Sequence, residues 1–293
     1  SFNEAVEVIA KCQSKVILCG VGKSGLIAAK ISATLSSVGT PSFSLSANDC
    51  SHGNLGSISK KDILILISNS GNTQELKNII QYANRNRIVL IGITSKKKSA
   101  LYKASDIKLE IPEVIESGYG IVPTSSTTVQ LCLGDALAIA SMDQKKFKKL
   151  DFKKFHPAGN LGNQLKTVED LMLIKDKIPF VDENSNMSVS LNLLLSKKLG
   201  LLIVKNKTGH TTGIFTDGDM KRLINRNKKF YDLKLKQIMS KNPTSVEKTM
   251  LAAKALAIMS EKKITSLCVH ESKNIRKTIG ILHIHNILES NIK

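Results

Sequence analysis

Apolar and polar positions follow two alternating patterns along the first 140 residues of the chain. Five short runs, mostly rich in Ile, Val and Leu, have the near-continuous apolar character of strands that are buried on both faces of a sheet. They cover residues 16–19, 42–45, 63–68, 88–94 and 107–111. Helix-length segments cover residues 26–38, 73–84, 98–104 and 126–142. This alternation predicts an α/β fold with a doubly wound parallel sheet and helices on both of its faces.

The last 125 residues contain an internal repeat. The sequence Asp170-Leu171-Met172 returns 67 residues later as Gln237-Ile238-Met239, and Gly213-Ile214-Phe215 returns at the same offset as Gly280-Ile281-Leu282. Each copy has a helix-length segment and an apolar strand before its Gly-Ile strand. Two markers at one offset indicate a structural repeat. We therefore predict two α+β units side by side that share a core.

The basic charge of the chain is a property of its surface. Lys and Arg number 43 and Asp and Glu 24, which gives a net charge of +19, but only five of the basic residues are Arg. Aromatic residues make up 4% of the chain, and the Lys residues are spread over its whole length. Specific nucleic-acid readers use bidentate Arg contacts and aromatic stacking. The composition therefore predicts a lysine-rich solvated surface and no nucleic-acid partner.

The cysteine content and the hydropathy of the chain indicate in which cellular compartment the protein is expected. The five cysteines are odd in number, form no CxxC motif and mostly lie inside apolar runs, which is typical of free thiols in a reducing cytosol. No window approaches the roughly 18 consecutive apolar residues of a membrane span, and no basic-then-apolar signal pattern stands at the start. We expect a cytoplasmic protein without a membrane partner.

Three turns at predicted strand ends carry the candidate chemistry. The first is the glycine-rich turn from Gly20 to Gly25, the second the polar turn from Ser68 to Thr73, and the third the hydroxyl-rich turn from Thr124 to Thr127. Each opens a predicted helix, where backbone N–H groups are free to bind an anion. The carboxyl ends of parallel strands meet at one edge of a sheet. The three turns therefore predict a site for a phosphate monoester on a small polar ligand, although each taken alone is also an ordinary helix cap.

Candidate acid–base residues lie close to these turns. Glu75 follows the second turn, and Glu116 lies in a glycine-containing loop before the third. Asp49, His52 and His156 lie in loops or at the end of the first domain. A carboxylate in the first turn of a helix also interacts favourably with the helix dipole, so Glu75 has a structural interpretation as well.

Taken together, the motifs resemble those of bacterial D-arabinose-5-phosphate isomerases. The shared segments, in this order, are GVGKSG, SHGNLG, ISNSGNTQE, PTSSTT, LGDALA and FHPAGNLG. The second half resembles the tandem CBS modules (named after cystathionine β-synthase) of those enzymes, most clearly in GIFTDGD at 213–219. The resemblance implies an SIS-type (sugar isomerase) parallel sheet domain followed by a CBS α+β pair, in a homotetramer. We expect the SIS domain at residues 1–165 and the CBS domains at 166–232 and 233–293.

The same resemblance implies an activity and a set of site residues. The activity is the interconversion of D-ribulose 5-phosphate and D-arabinose 5-phosphate through an enediolate, which supplies Kdo for lipopolysaccharide or capsule. The family's functional residues fall on Lys23, Glu75, Glu116 and His156, and the sequence leaves open which Glu is the base. The expected substrate contacts are Gly22, Ser24, Gly39, Thr40, His52, Ser68, Asn69, Ser70, Asn72, Thr73, Thr124, Ser125, Ser126 and Thr127.

The resemblance also bears on cofactors. No cofactor is required for the expected reaction, and an adenine nucleotide or another ligand is expected at the CBS pair, through Thr216 and Asp219. An inhibitory zinc ion is expected at His52. Two departures from the family affect these expectations. Ser46 stands where the family commonly has a second His before the His52 motif, and Asn286 stands where the second CBS module would match Asp219.

Two other functions fit parts of the sequence. A non-catalytic phosphosugar sensor would use the same phosphate turns without the carboxylates, and such regulators usually carry a helix-turn-helix domain before the SIS domain. An adenylate-binding regulator would use the CBS pair beside a vestigial SIS domain. Lys23, Glu75, Glu116 and His156 argue for the isomerase over both.

Overall fold

The computed structural model describes residues 1–156, 159–226, 231–290 and 292. It divides into two compact units, Ser1–Phe155 and His156–Lys293. The predicted domain boundaries at 165/166 and 232/233 remain predictions. Within the described residues, none of the helices has both the length and the apolar character needed to cross a membrane.

The first unit is built on one five-stranded sheet. Its strands are β1 (Val16–Gly20), β2 (Ser42–Ser46), β3 (Ile63–Ile67), β4 (Val89–Thr94) and β5 (Ile107–Glu110). Its helices are α1 (Phe2–Ala10), α2 (Lys23–Ser37), α3 (Ala47–Cys50), α4 (Lys77–Asn86), α5 (Ala100–Ala104), α6 (Ser125–Gln144) and α7 (Lys149–Phe155), with short 3-10 turns at Asn54–Ser57 and Gln74–Leu76.

All strands of this sheet run parallel, in the order β2-β1-β3-β4-β5. Successive side chains of a strand point to opposite faces, and β3 shows the consequence. Ile63, Ile65 and Ile67 join the core beneath α1, α2 and α6. Leu64 and Leu66 join a second core, to which α4 and α5 contribute on the other face. A strand buried on both faces needs an unbroken apolar run, so the predicted parallel sheet with helices on both faces is confirmed.

Strand order places two of the predicted turns next to each other. Because β1 lies between β2 and β3, the connections from β1 and β3 leave the sheet in the crevice where the strand order reverses. Gly20 at the end of β1 is in register with Ile67 at the end of β3. The first and second turns therefore start side by side.

The second unit contains two four-stranded sheets, ordered β10-β9-β8-β7 and β11-β12-β13-β6. Its strands are β6 (Leu173–Ile174), β7 (Phe180–Asp182), β8 (Leu201–Lys205), β9 (Thr211–Thr216), β10 (Ser240–Lys241), β11 (Ser245–Glu247), β12 (Ser266–His270) and β13 (Gly280–His283). Its helices are α8 (Gly159–Gln164), α9 (Val168–Leu171), α10 (Met187–Lys197), α11 (Asp217–Arg226), α12 (Leu235–Ile238), α13 (Ala252–Lys262) and α14 (Ile284–Glu289), with a 3-10 turn at Lys175–Lys177.

The two repeat copies exchange short strands. β6 begins the first copy but pairs with β13 of the second, whereas β10 begins the second copy and pairs with β9 of the first. A core cluster joins Leu201 and Ile203 of one copy to Cys268 and Ile281 of the other. The shared core predicted from the repeat is therefore present.

Candidate functional site

The first turn joins β1 to α2 and brings a strand end close to a helix start. A side-chain carbon on Gly20 would lie 2.8 Å from the backbone of Ser24, and one on Gly25 would lie 2.8 Å from the carbonyl of Gly20. Gly22 has a φ of +57° at the N-cap of α2. Glycine is therefore required at the first two positions for close packing and favoured at the third for its backbone conformation.

The start of α2 is open to an anion. No side chain caps it, no acidic residue lies in its first turn, and Lys23 is exposed there. Lys23 adds a positive charge to the positive end of the helix dipole. A cavity of about 280 Å³ lies beside this turn, between the ends of β1 and β2. The uncapped helix start, the charge of Lys23 and the cavity fit the anion site that the sequence predicts for this turn, and that site stays a prediction.

The second turn follows β3 and is held by hydrogen bonds of its side chains. The hydroxyls of Ser68 and Thr73 lie 2.8 Å apart, and Ser68 Oγ also accepts a hydrogen bond from the N–H of Gly71 at 3.0 Å. Asn72 Oδ1 accepts from the N–H of Ala100 at 2.9 Å, which ties the turn to α5. Ser70 is exposed. The turn presents hydroxyls and N–H groups on a fixed backbone, the arrangement that suits a phosphate.

Glu75 lies in the 3-10 turn Gln74–Leu76, directly after this second turn, and it is exposed. Its position places a carboxylate next to the proposed phosphate-binding hydroxyls. Within the described residues, no hydrogen bond or ion pair engages this carboxylate.

The third turn differs from its prediction, because a carboxylate of the protein occupies it. Glu116 Oε2 accepts hydrogen bonds from the N–H of Thr124 at 2.8 Å and from the N–H of Ser126 at 3.2 Å. Hydrogen bonds from the Ser126 side chain and the Thr124 N–H lower the pKa of Glu116 to about 2. The anion-binding character predicted for this turn is therefore present, but the anion is Glu116.

Gly39 and Thr40 are not brought to this edge of the sheet. They precede β2 and so lie at its amino end, opposite the three turns. Lys145 Nζ donates hydrogen bonds to the Gly39 carbonyl and the Thr40 hydroxyl, and burial lowers the pKa of Lys145. These contacts tie the end of α6 to the start of β2, so we interpret them as structural within this chain.

The two candidate histidines are placed separately. His52 is exposed just after α3, and no group of three or more His, Cys, Asp or Glu side chains able to hold a metal forms among the described residues. Zinc at His52 therefore remains a prediction from resemblance. His156 directly follows α7, at the point where the two units divide, and its role stays a prediction. Pro157 and Ala158, which follow it, lie outside the described residues.

A second candidate site lies in the repeat half. A cavity of about 740 Å³ is lined by both copies, with Thr216 and Asp219 on its wall. Asp219 Oδ2 accepts from the N–H and the hydroxyl of Thr216 at 2.9 and 2.7 Å, and Asp219 Oδ1 accepts from Arg222 at 2.6 Å. Burial alone would raise the pKa of Asp219, but hydrogen bonds from Thr216 and Arg222 outweigh it and hold the pKa below its usual value.

The second copy lacks this carboxylate. The backbone N–H of His283 donates to Asn286 Oδ1 at 3.3 Å, where the first copy has Thr216 and Asp219. The rings of His283 and His285 stack at a centroid distance of 5.0 Å and line the same cavity. Burial lowers the pKa of His283. The predicted difference between the two modules is therefore a difference between an anionic and an imidazole-lined wall.

The basic character of this cavity was not predicted from the sequence. Four cationic side chains line it and only two acidic ones, Asp217 and Asp219. The cations are Lys198, Arg222, Lys241 and Lys263. Lys residues are spread along the whole chain, so the few that line this cavity do not stand out as a cluster in the sequence.

The chain is similar to known proteins along nearly its whole length. The family model of the SIS domain matches residues 9–140, and that of the CBS domain matches residues 168–226 and 235–292. The arabinose 5-phosphate isomerase KdsD of Pseudomonas aeruginosa is 37% identical over 293 residues, covering 99% of this chain and 89% of that protein. KdsD of Escherichia coli K12 is 35% identical over 294 residues, covering 100% and 89%.

A solved structure is similar to the first unit. The structure of E. coli CFT073 c3406 in complex with A5P has 42% sequence identity and a TM-score of 0.52, and the match covers 53% of this chain and 84% of that one. The SIS and CBS domains expected from the motifs are thus confirmed.

Proposed function

Since this chain belongs to the arabinose 5-phosphate isomerase family, in which an SIS domain precedes two CBS domains, we propose that it interconverts D-arabinose 5-phosphate and D-ribulose 5-phosphate. The observation that carries this function is the likeness to KdsD enzymes over the full chain, together with the turns of the first unit. A5P is bound by the similar SIS-domain protein of E. coli CFT073. The product would serve the synthesis of Kdo for lipopolysaccharide or capsule.

The reaction moves two hydrogens. A base removes the proton from C2 of the aldose, the electron pair forms the C1–C2 double bond, and the carbonyl electrons go to O1, which takes a proton. The resulting enediol loses its O2 proton as C2 becomes the ketone carbon, and C1 gains the proton held by the base. The chemistry therefore needs a base, a stabiliser for the oxyanion and a group that carries the hydroxyl proton.

The turns of the first unit offer residues for the phosphate, the oxyanion and the carbon-bound proton, and the family resemblance adds His156 for the hydroxyl proton. The second turn binds the phosphate through Ser68, Ser70 and Thr73. The hydroxyls of Ser68 and Thr73 already lie 2.8 Å apart, and Ser68 Oγ also accepts a hydrogen bond from the N–H of Gly71. Lys23, exposed at the open start of α2, stabilises the developing oxyanion. Glu75 or Glu116 acts on the carbon-bound proton, and His156 carries the hydroxyl proton.

The CBS pair is a ligand-binding module in this proposal. Its cavity of about 740 Å³ is within the usual size of small-molecule sites, and its excess of cationic side chains suits an anionic ligand. An adenine nucleotide fits this chemistry, because Asp219 can accept hydrogen bonds from ribose hydroxyls. No cofactor is needed for the isomerisation itself.

A homotetramer is the assembly we propose. Leu26 of α2 and Ile139 of α6 are 72% and 47% exposed, although α2 and α6 pack on each other within the unit. Large apolar side chains on two adjacent helices are consistent with a surface that a second copy covers. Light scattering after size-exclusion chromatography tests the assembly.

A proton NMR time course with D-ribulose 5-phosphate in deuterated buffer tests the function. We expect arabinose 5-phosphate with deuterium at C2, since the base exchanges its proton with solvent. Ribose 5-phosphate as the product would change the substrate pair but keep the mechanism. Saturable sugar-phosphate binding without turnover would indicate a sensor and contradict the proposal.

A further inference from the structure

Glu116 occupies the start of the longest helix of the first unit. The first N–H groups of a helix lack partners within it and carry partial positive charge, so they form a binding site for an anion. α6 spans 20 residues, and its open N–H groups at Thr124 and Ser126 are both bound by Glu116 Oε2. The substrate's phosphate would have to expel this carboxylate to bind there.

The same contacts make Glu116 a poor proton acceptor. They stabilise the ionised form, and a hydrogen bond from the Ser126 side chain adds to them, so that the pKa falls to about 2. A general base works best when its pKa is near the operating pH, because a very weak base gives little driving force for proton transfer. A carboxylate held in this way is suited to fixing structure.

The surroundings of Glu75 are different. It follows the second turn immediately and is exposed in a 3-10 turn, next to the hydroxyls that we assign to the phosphate. No described residue donates a hydrogen bond to its carboxylate. Glu75 is therefore available to a substrate, whereas Glu116 is committed to α6.

We propose that Glu116 is a positioning residue, an internal anion that holds the start of α6 and the loop of residues 112–124 in place, and that Glu75 is the base that transfers the proton between C2 and C1. This assignment rests on the proposed isomerase function. Glu75 takes the C2 proton and returns it to C1, while Glu116 stays ionised throughout and exchanges no proton with the substrate.

The two carboxylates can be distinguished by anion rescue. Glu116→Ala and Glu75→Ala are assayed in the full-length protein at saturating substrate, with added nitrate, formate or acetate. Nitrate is planar and anionic like a carboxylate but accepts no proton in water. We expect all three anions to raise kcat of Glu116→Ala to a similar level, because an anion at α6 is sufficient. Formate and acetate, but not nitrate, are expected to raise kcat of Glu75→Ala.

The Gln variants give a second measurement that does not depend on anion binding. Glu116→Gln keeps an acceptor for the N–H groups of α6 and is expected to lower kcat by less than about tenfold, with the acid limb of the kcat/KM profile at its wild-type position. Glu75→Gln is expected to lower kcat by roughly 10²–10⁴-fold, the usual contribution of a general base. Glu113→Gln, in the same loop and paired with Lys96 at the surface, is the matched control.

Three results would overturn the assignment. The first is rescue of Glu116→Ala that rises with the basicity of the anion and fails with nitrate. The second is a loss of 10²-fold or more in Glu116→Gln together with loss of the acid limb. The third is full turnover in Glu75→Gln. Absence of turnover in the wild type would instead contradict the proposed function. In that case a thermal shift with nitrate, expected for Glu116→Ala and not for the wild type, still tests whether Glu116 fills the α6 site.

Discussion

The hydroxyls of Thr211 and Thr278 lie 2.7 Å apart, and the two residues are separated by 67 positions. This separation equals the offset of the sequence repeat, so each residue is in contact with its own equivalent in the other copy. Equivalent residues meet only where a pseudo-twofold axis passes between two copies. The backbone N–H of Thr278 also points to Thr211 Oγ1, at 3.4 Å.

This pair predicts a strong coupling between two substitutions. Thr211→Val or Thr278→Val alone leaves a hydroxyl without its partner in a largely buried contact, and each is expected to destabilise the second unit by about 1–2 kcal/mol. The double variant removes both hydroxyls and is expected to cost less than the sum of the two. A double-mutant cycle in urea, following the transition of the second unit, measures this. Additive effects would show that the two hydroxyls do not interact.

Gly71 in the second turn is a position at which any side chain is expected to destabilise the protein. Its φ is +65°, and a side-chain carbon there would overlap Ser99 Oγ and lie 2.7 Å from Thr94 Oγ1. Gly71→Ala is therefore expected to cost about 1–3 kcal/mol more than backbone strain alone. Gly209→Ala is the matched control, since Gly209 has a φ of +79° with no atom within 4 Å of the added carbon. Equal losses of unfolding free energy for Gly71→Ala and Gly209→Ala in urea would show that Ser99 and Thr94 move aside at no cost in stability.

The parts of the fold that could be predicted from the sequence are those determined by residues close together in the chain. Strand β3 could be located because burial on both faces requires five apolar residues in a row. The glycines of the first turn were visible because Gly20 and Gly25 each solve a local steric problem. Strands β6 and β10 could not be predicted, since two residues are too few to show a period and their pairing depends on the other repeat copy.

The candidate site was predicted less completely than the fold. The position of Glu116 depends on the path of an irregular loop, in which Tyr119 lies between two glycines and all three have positive φ. No periodicity encodes such a path. Thr40 was assigned from motif resemblance, whereas its place before β2 puts it at the amino end of the sheet. The roles of the site residues remain predictions.

Removing the charge of Lys23 is expected to raise the stability of the protein and to lower its activity. A cation in the first turn of α2 opposes the helix dipole, so Lys23→Gln is expected to stabilise the protein by about 0.3–1 kcal/mol. The same change removes the proposed stabiliser of the oxyanion and is expected to lower kcat by roughly 10²–10³-fold. Lys30→Gln is the control, because Lys30 lies further along α2 and pairs with Asp135 at the surface. A slower enzyme with lower stability would point to a packing role for Lys23.

Substitution of Asp219 and of Asp170 can distinguish a role in helix capping from a role in ligand binding. Both carboxylates accept from the N–H and the hydroxyl of a Thr three residues earlier, but only Asp219 lines the cavity. Asp219→Asn and Asp170→Asn are each expected to cost about 0.5–2 kcal/mol of stability through the weakened cap. Only Asp219→Asn is expected to abolish the thermal shift produced by AMP. The same shift in both variants would place the nucleotide elsewhere.

The low pKa of Glu116 is expected to make the stability of the protein depend on pH. Comparison of the wild type with Glu116→Gln separates this contribution from those of the other carboxylates. Its folded pKa of about 2 is below the ordinary value of 4.5, so the folded state binds this proton more weakly than the unfolded state. The contribution is therefore complete above about pH 4.5 and is lost as the pH falls towards 2. The difference in Tm between the wild type and Glu116→Gln isolates it, because the other carboxylates titrate in both proteins. We expect that difference to be constant from pH 7 to pH 5 and to shrink below pH 4.5. A difference that persists unchanged towards pH 2.5 would show that Glu116 does not bind α6 as an anion.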